Sequence, residues 1–414
     1  MLDTELYTHL LGLTAPWKVV QVTLQQAEQR VDVWAEHEPA TRFPCPVCGL
    51  LLPVYDHTPV RAWRHLDSCH YLTFLQAALP RVACPQHGVR QTPVPWAVAG
   101  SRFTCPFEYR VIRTLRATDV QGAAGLLRIS WDQTWGVMER AVARGQRRKR
   151  RRVIRHLGVD EKAVGRGQDY FTLVTDLIRS TVEYVGDGRT TESLDGFYQR
   201  LTARQLAGIE AIALDMWQPF LRSTLDHVPD AAQKIVFDRY HIMKHMNEAV
   251  DGVRKAEHRR LGAQGDDSLK GTKYWWLFAE ENLPARHRER FALLQRLHLK
   301  TARAWALKEM LRDLWHYRRR GWAAKHFADW YQWAVRSRLP PVRRVASMLK
   351  GHLDNVLTYF DHRITNAVSE GLNNKIQAIK HNAFGYRNRE HFRIAILFHC
   401  GGLDLFPRTH KKAG

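Results

Sequence analysis

From His156 onward short apolar runs alternate with helical stripes, and this rhythm is the clearest structural signal in the chain. His156–Asp160, Tyr170–Leu177 and Thr181–Val185 have the residue types and spacing of three consecutive strands with short connections. A helix follows from about Thr191 to Leu206, with Leu194, Phe197 and Leu201 on one face. Two more apolar strands, Ile209–Asp215 and Lys234–Asp238, flank a helix over Pro219–His227 that carries proline in its first turn. Between His241 and Asp361 the pattern is nearly all helical, and the stretch Ile364–Lys380 has Val368, Leu372, Ile376 and Ile379 at helical spacing. Upstream, Lys18–Leu24 and Val31–Trp34 alternate as short strands. Phe107–Ala117, Asp119–Ile129 and Thr134–Ala143 read as helices, the last two joined by the turn Ser130–Gln133.

A chain of 414 residues exceeds one ordinary core. The pattern divides it into five segments: 1–105, 106–152, 153–245, 246–360 and 361–414. At 45% hydrophobic and 25% charged residues it is globular. Charge changes the picture most. Lys plus Arg number 63 against 41 Asp plus Glu, a net +22 that calls for a polyanionic partner, nucleic acid before all others. No stretch reaches the roughly 18–20 apolar residues of a membrane span, and Met1–Leu13 holds two acids and no basic residue, unlike a secretory signal. A cytoplasmic protein without a membrane partner is expected, nucleoid-associated when on DNA.

The six cysteines are too few for a disulfide scaffold. Cys45-Pro-Val-Cys48 and Cys84-Pro-Gln-His87 each space two ligands by two residues, and together they supply Cys3His, a closed structural set for Zn2+. Cys69, His57, His65, His70 and Cys105 complete no second pair. With little hydrophobic sequence around it, this module should gain much of its folding energy from the metal and present Arg42, Arg61, Arg64, Arg81 and Arg90 to phosphate. The two helices around Ser130–Gln133 match a helix-turn-helix, with Gln133, Thr134, Arg140 and Arg144 as exposed candidates for DNA contact. The run Arg147, Arg148, Lys149, Arg150, Arg151 and Arg152 would collect DNA as well.

The order strand, strand, strand, helix, strand, helix, strand is that of the ribonuclease H fold, an antiparallel meander joined to parallel strands by crossovers. In such a sheet the site lies where parallel strands end. The first strand is expected to end at Asp160 and the fourth at Asp215, so their carboxylates would share a cleft. Like charges at close range favour a bound cation, and hard oxygen ligands favour Mg2+ or Mn2+. The third acid should come from a helix docked beside the first strand. Glu370 is the candidate, because Asn366, Glu370, Asn373, Gln377 and Lys380 form a polar stripe opposite the apolar one. Asp238 also ends a strand before a helix and competes with Asp215 for the middle place.

The knuckle Cys45/Cys48 and Cys84/His87, Gly158-Val-Asp160-Glu, Ala213-Leu-Asp215-Met, Val236-Phe-Asp238-Arg-Tyr-His241 and Ser369-Glu370-Gly-Leu-Asn-Asn-Lys-Ile together resemble the transposases of bacterial insertion sequences, most nearly the subgroup often written ISL-three. The resemblance spans nearly the whole chain. It implies a multidomain α+β protein: an amino-terminal zinc-binding module, a helix-turn-helix with a basic linker, and a ribonuclease H-like α/β catalytic core interrupted by an all-helical insertion. Asp160, Asp215 and Glu370 would be its DDE acids and magnesium ligands. Asp238 with His241 would match the accessory Asp-x-x-His of Mutator-like transposases. The partner would be double-stranded DNA, as terminal inverted repeats and target, cleaved and joined by a homodimer or larger assembly. Lys375, Lys380 and Arg387 would grip DNA near the cleft, and the tail Arg408 to Lys412 is basic. The alternatives are a non-catalytic DNA-binding regulator or inactive relic, and a ribonuclease H-like structure-specific nuclease.

Overall fold

A computed structural model describes residues 2–165 and 167–408. The chain divides into two compact units, Met1–Lys149 with Lys380–Gly414, and Arg150–Ile379. Residues from 380 on therefore group with the amino-terminal unit, where the sequence pattern had joined them to the core. Of the tail Arg408 to Lys412, only Arg408 lies among the described residues.

The first unit opens with α1 (Asp3–Leu10), followed by β1 (Trp17–Gln25) and β2 (Arg30–His37). Next come the small hairpin β3 (Arg42–Pro44) and β4 (Leu51–Pro53), then β5 (Asp56–His57), β6 (Arg61–Arg64), β7 (Leu72–Ala77), β8 (Pro80–Cys84) and β9 (Gly88–Gln91). One sheet has the order β1-β2-β7-β6 and another β5-β8-β9. The larger sheet carries its own core, in which Trp96 meets Trp17 and Trp63 edge-on at centroid distances of 4.8 and 5.6 Å. Val33, Leu75 and Val82 are wholly buried with them. This module therefore has a hydrophobic core of its own beside the knuckle, more than the little hydrophobic sequence expected around it. The aromatic residues that build the core lie far apart in the chain.

Three helices follow: α2 (Cys105–Leu115), α3 (Val120–Leu127) and α4 (Trp131–Arg148). Each begins on a polar cap, since Thr104, Asp119 and Ser130 accept from the N–H of Phe107, Gly122 and Gln133. The third helix runs past Ala143 to Arg148, so the basic run starts inside its last turn, where cations suit the helix dipole.

The second unit is built on β10 (His156–Ala163), β11 (Tyr170–Asp176), β12 (Thr181–Asp187), α5 (Thr191–Tyr198), α6 (Ala203–Ala207), β13 (Ala211–Leu214), α7 (Gln218–His227), α8 (Ala231–Lys234) and β14 (Ile235–Phe237). The sheet order is β12-β11-β10-β13-β14, antiparallel across the first three strands and parallel from β10 through β14. The single helix expected over 191–206 is two, because Thr202 caps a new start by accepting from Gln205 N–H. Nor does the first strand end at Asp160. It continues to Ala163 against β11, while its pairing with β13 stops at Gly158.

Helices α9 (Arg239–Gly262), α10 (Lys273–Leu277), α11 (Ala285–Arg296), α12 (Lys300–Arg312), α13 (Arg320–Arg336), α14 (Pro340–Gly351), α15 (Leu353–Leu357) and α16 (Tyr359–His362) follow β14, and then α17 (Ala367–Asn382). Their apolar faces join one core with the sheet: Val159, Leu214 and Phe237 pack in the same cluster as Met246, Trp276, Leu307 and Trp330. Most tryptophans here are core residues, although Trp322 and Trp333 are exposed. On the opposite face of the sheet Ala211, Ala213 and Val236 meet Ile364 and Val368. No helix among the described residues is long and apolar enough to cross a membrane.

The last helix, α18 (Arg389–Cys400), belongs to the first unit, where Trp131 stacks on Trp135 and His391 lies tilted against Trp135 at 4.2 Å. Beside it Glu108 is fully buried. It accepts from Ser101 at 2.9 Å and from Arg140 and Arg144 at 2.8 Å each. Removing one partner of such a buried network strands the other charge. Glu108→Ala should cost about 3–5 kcal/mol in urea unfolding.

Candidate functional site

The two knuckles come from hairpins. Cys45 and Cys48 lie between β3 and β4, and Cys84 and His87 lie at the β8–β9 turn. Directly after each second ligand a glycine, Gly49 or Gly88, takes a left-handed φ of 75° or 69° and folds the chain back. All four ligand atoms lie within 4.8 Å of one another. Cys48 Sγ is 3.7 Å from Cys84 Sγ, and His87 Nδ1 is 3.4 Å from Cys84 Sγ and 3.9 Å from Cys45 Sγ. These separations suit a tetrahedral ion about 2.0–2.3 Å from each ligand. The Cys48 and Val47 backbone N–H groups pull the Cys45 thiol down to about 7, which favours the thiolate. The glycines are a signal the sequence reading did not use.

In the second unit the parallel register aligns the acids. Gly158 pairs with Ala213, and Leu214 with Phe237. Asp160 and Asp215 lie two residues beyond the first pair, while Asp215 and Asp238 follow the second. Extended past the last pairs, the register sets Asp160 on β10 level with Asp215 and Asp238, each one residue beyond the end of its strand. Their side of the pleat is that of Gly158, Ala213 and Val236, the face covered by Ile364 and Val368. Asp238 caps α9 by accepting from Tyr240 N–H at 3.1 Å. One turn on, His241 Nδ1 is 3.2 Å from Asp215 Oδ2.

Helix α17 is held against β10 by polar contacts. Ser369 and Thr175 hydroxyls are 2.8 Å apart, and Thr175 donates to Gly158 O at 3.1 Å. Lys162 Nζ donates to Asn373 O at 3.1 Å, and Asn373 Nδ2 donates to Asp160 Oδ2 at 2.7 Å. A Cβ on Gly158 would lie 2.4 Å from Ser369 Oγ and 2.7 Å from Asn366 Oδ1, so only glycine admits the helix this close. Asn366, on the polar stripe with Glu370, is buried. Asn373 was seen as a stripe member, but its bond to Asp160 was not. Glu370 remains exposed on the same helix. It lines a cavity of about 480 Å3 together with Asp238.

Burial pushes the Asp160 carboxyl up to about 6. Glu161 N–H and His241 oppose that rise, and the Glu161 and Asp238 charges add to it. Asp238 is also raised, chiefly by burial, with Asp215 and Glu370 pushing the same way. The acids thus sense one another as a cluster of like charge.

The proposed DNA contacts divide on burial. Thr134 and Arg144, expected to be exposed, are buried: Thr134 donates to Ser130 O, and Arg144 is tied to Glu108 and Leu405 O. Both lie on the inner face of α4. Gln133 completes the cap of that helix by accepting from Ser130 N–H, and Arg140 is partly exposed beside Glu108. Arg147, Arg150 and Arg151 are exposed, whereas Arg148 pairs with Asp404, Lys149 donates to Gly401 O, and Arg152 pairs with Asp176 and Glu183. Lys375 and Arg387 are exposed, and Lys380 is half-buried. In the zinc module Arg64 is buried against Asp67 and Phe107, and Arg81 is bound to Asp56, so neither is free for phosphate.

A Cys3His knuckle, a helix-turn-helix and a sheet with aligned acids describe a DNA-binding transposase, and comparison with known proteins agrees. A transposase family model of the ISL3 DDE type matches residues 157–396. The zinc-finger of transposase IS204/IS1001/IS1096/IS1165 matches residues 41–87, and the helix-turn-helix domain of transposase family ISL3 matches residues 92–142. The chain belongs to the ISL3 family of DDE transposases. It is 29% identical over 357 residues to the transposase for insertion sequence element IS1001 of Bordetella parapertussis, covering 85% of this chain and 87% of that one. The transposase for IS1557 of Mycobacterium tuberculosis is 26% identical over 441 aligned positions, covering 99% and 98%.

Freshly purified protein should carry about one zinc per chain at this tetrahedral site. Cys84→Ser should lose most of it by elemental analysis. The Asp160 carboxyl makes a second expectation. Its folded value lies above the roughly 3.9 of an unfolded aspartate. Its stabilising contribution is therefore complete below about pH 4 and lost as pH rises through about 6. Thermal unfolding without added divalent cations should show that decline, and Asp160→Asn should flatten it.

Proposed function

We propose that the second unit is a ribonuclease H-like catalytic core, with the helices between β14 and α17 inserted into it, and that it cuts and joins the DNA ends of an insertion sequence. On this reading Asp160, Asp215 and Glu370 hold divalent cations, and Asp238 and His241 flank them. The observation that carries the reading is the level row of Asp160, Asp215 and Asp238, with α17 locked on the same face through Gly158. The donor set fits hard cations: clustered carboxylate oxygens, one raised to about 6 by burial and neighbouring charge. Magnesium or manganese bound there supplies charge neutralisation and an activated oxygen for in-line displacement at a phosphodiester.

The chain's own residues prepare that chemistry. Asn373 fixes one Asp160 oxygen by donating to it, so the other side of the carboxylate keeps its orientation. His241 lies beside Asp215, its Nδ1 3.2 Å from Asp215 Oδ2, and would pair with it when protonated. Hydrolysis frees a 3′-hydroxyl, which then attacks a target phosphodiester and displaces one strand. Terminal inverted repeats are bound through the zinc module and helix-turn-helix, with Gln133, Arg140, Arg147, Arg150, Arg151, Lys375 and Arg387 as candidate contacts. Pairing two element ends calls for a dimer or larger assembly.

Purified protein given labelled DNA with its element's ends should cleave only with magnesium or manganese. Asp160→Ala and Glu370→Gln should abolish cutting while DNA binding persists. Asp215→Asn should match them, with Asp238→Asn leaving a residual rate. The reverse order would make Asp238 the middle acid, and equal cutting by Asp160→Ala would remove the site assignment.

A further inference from the structure

The cavity of about 480 Å3 beside Asp238 and Glu370 does not end there. A second, of about 310 Å3, shares Tyr240, Met243, Asn247 and Leu277 with it and continues to Lys244 and Lys273. The shared strip runs along the first turns of α9 and faces α10. Both volumes fall in the range of small-ligand sites, roughly 300–1,000 Å3.

The chemistry of this groove is unlike a duplex-binding surface. Tyr240 is 61% exposed, and its ring meets His241 only edge-on, at 5.4 Å and 86°. Met243 and Leu277 add a half-buried apolar floor. Paired DNA offers phosphates and groove edges, and hides the faces of its bases inside the stack. An open aromatic face over an apolar floor suits an unpaired base instead. Asn247, half-buried, lines both cavities and adds a polar side chain to the strip.

Charge agrees. Exposed Arg239, Lys244 and Lys273 edge the groove. Apart from Asp238 and Glu370 at its catalytic end, the acids on its wall have cationic neighbours: Glu281 pairs with Arg312, and Asp251 with Arg254 and Lys255 at 2.7 and 2.9 Å. Glu248 has His245 at 3.8 Å.

We propose that this groove seats an unpaired segment of DNA leading from the carboxylates, with one base stacked on Tyr240 and its backbone following Lys244 and Lys273. The proposal rests on the catalytic reading above for why DNA ends arrive here. It makes the enzyme a reader of frayed or overhanging ends as well as of duplex.

The test compares binding of a blunt duplex with that of the same duplex bearing a short 3′ overhang labelled with 2-aminopurine, using full-length protein without added magnesium. The parent should bind the overhang more tightly and quench its fluorescence. Tyr240→Ala should weaken overhang binding roughly 5- to 150-fold, the range for one lost base–aromatic stack, while blunt-duplex affinity stays unchanged. Tyr240→Phe should restore both affinity and quenching. Lys273→Glu should weaken overhang binding and reduce its salt dependence. Equal binding of the two DNAs by the parent, or undiminished quenching in Tyr240→Ala, would overturn the proposal. A parent that binds the overhang in this way yet never cuts with magnesium would sink the nuclease assignment and uphold the groove.

Discussion

The second unit depends on how closely one helix can approach one strand. Gly158 has no side chain, so Ser369 and Asn366 come down onto the backbone of β10, and Thr175 ties Ser369 to the carbonyl of Gly158. That contact fixes the height and rotation of α17, and through them the position of Glu370 relative to Asp160. Asn373 and Lys162 fasten the next turn. The acids that matter here are assembled by packing between elements far apart in sequence, and the packing is specified by the smallest residue available.

Gathering carboxylates is unfavourable by itself. Asp160 and Asp238 are both raised, and each is partly relieved by a backbone N–H and by His241. A site tuned in this way is incompletely neutralised by its own protein, which is the condition under which a cation binds. The zinc knuckle solves the same problem by the opposite route. Its ligands lie close together on two rigid turns, and the N–H groups around Cys45 already favour the thiolate.

Much of this was legible in the sequence because it is written locally. The two Cys-x-x-Cys/His spacings and the strand rhythm from His156 are short-range patterns, and the structure follows them closely. Burial was harder to read. Arg144 and Thr134 are polar residues on a helix flanked by basic sequence, and nothing local says that Glu108, over thirty positions upstream, draws one of them inside. The burial of Asn366, a member of the polar stripe, is a long-range fact of the same kind, since it follows from a glycine on another element. The core of the zinc module, built from Trp17, Trp63 and Trp96, is likewise a long-range fact.

The long helical stretch between β14 and α17 shares one hydrophobic core with the sheet. During synthesis the ribosome therefore releases the strands bearing Asp160, Asp215 and Asp238 well before the helix that carries Glu370. The first unit closes later still, because α18, whose His391 packs on Trp135, follows Glu370 in the chain. Neither unit is complete until translation has passed the helix that bears the last proposed ligand, so the reading and the proposed cutting of DNA mature together.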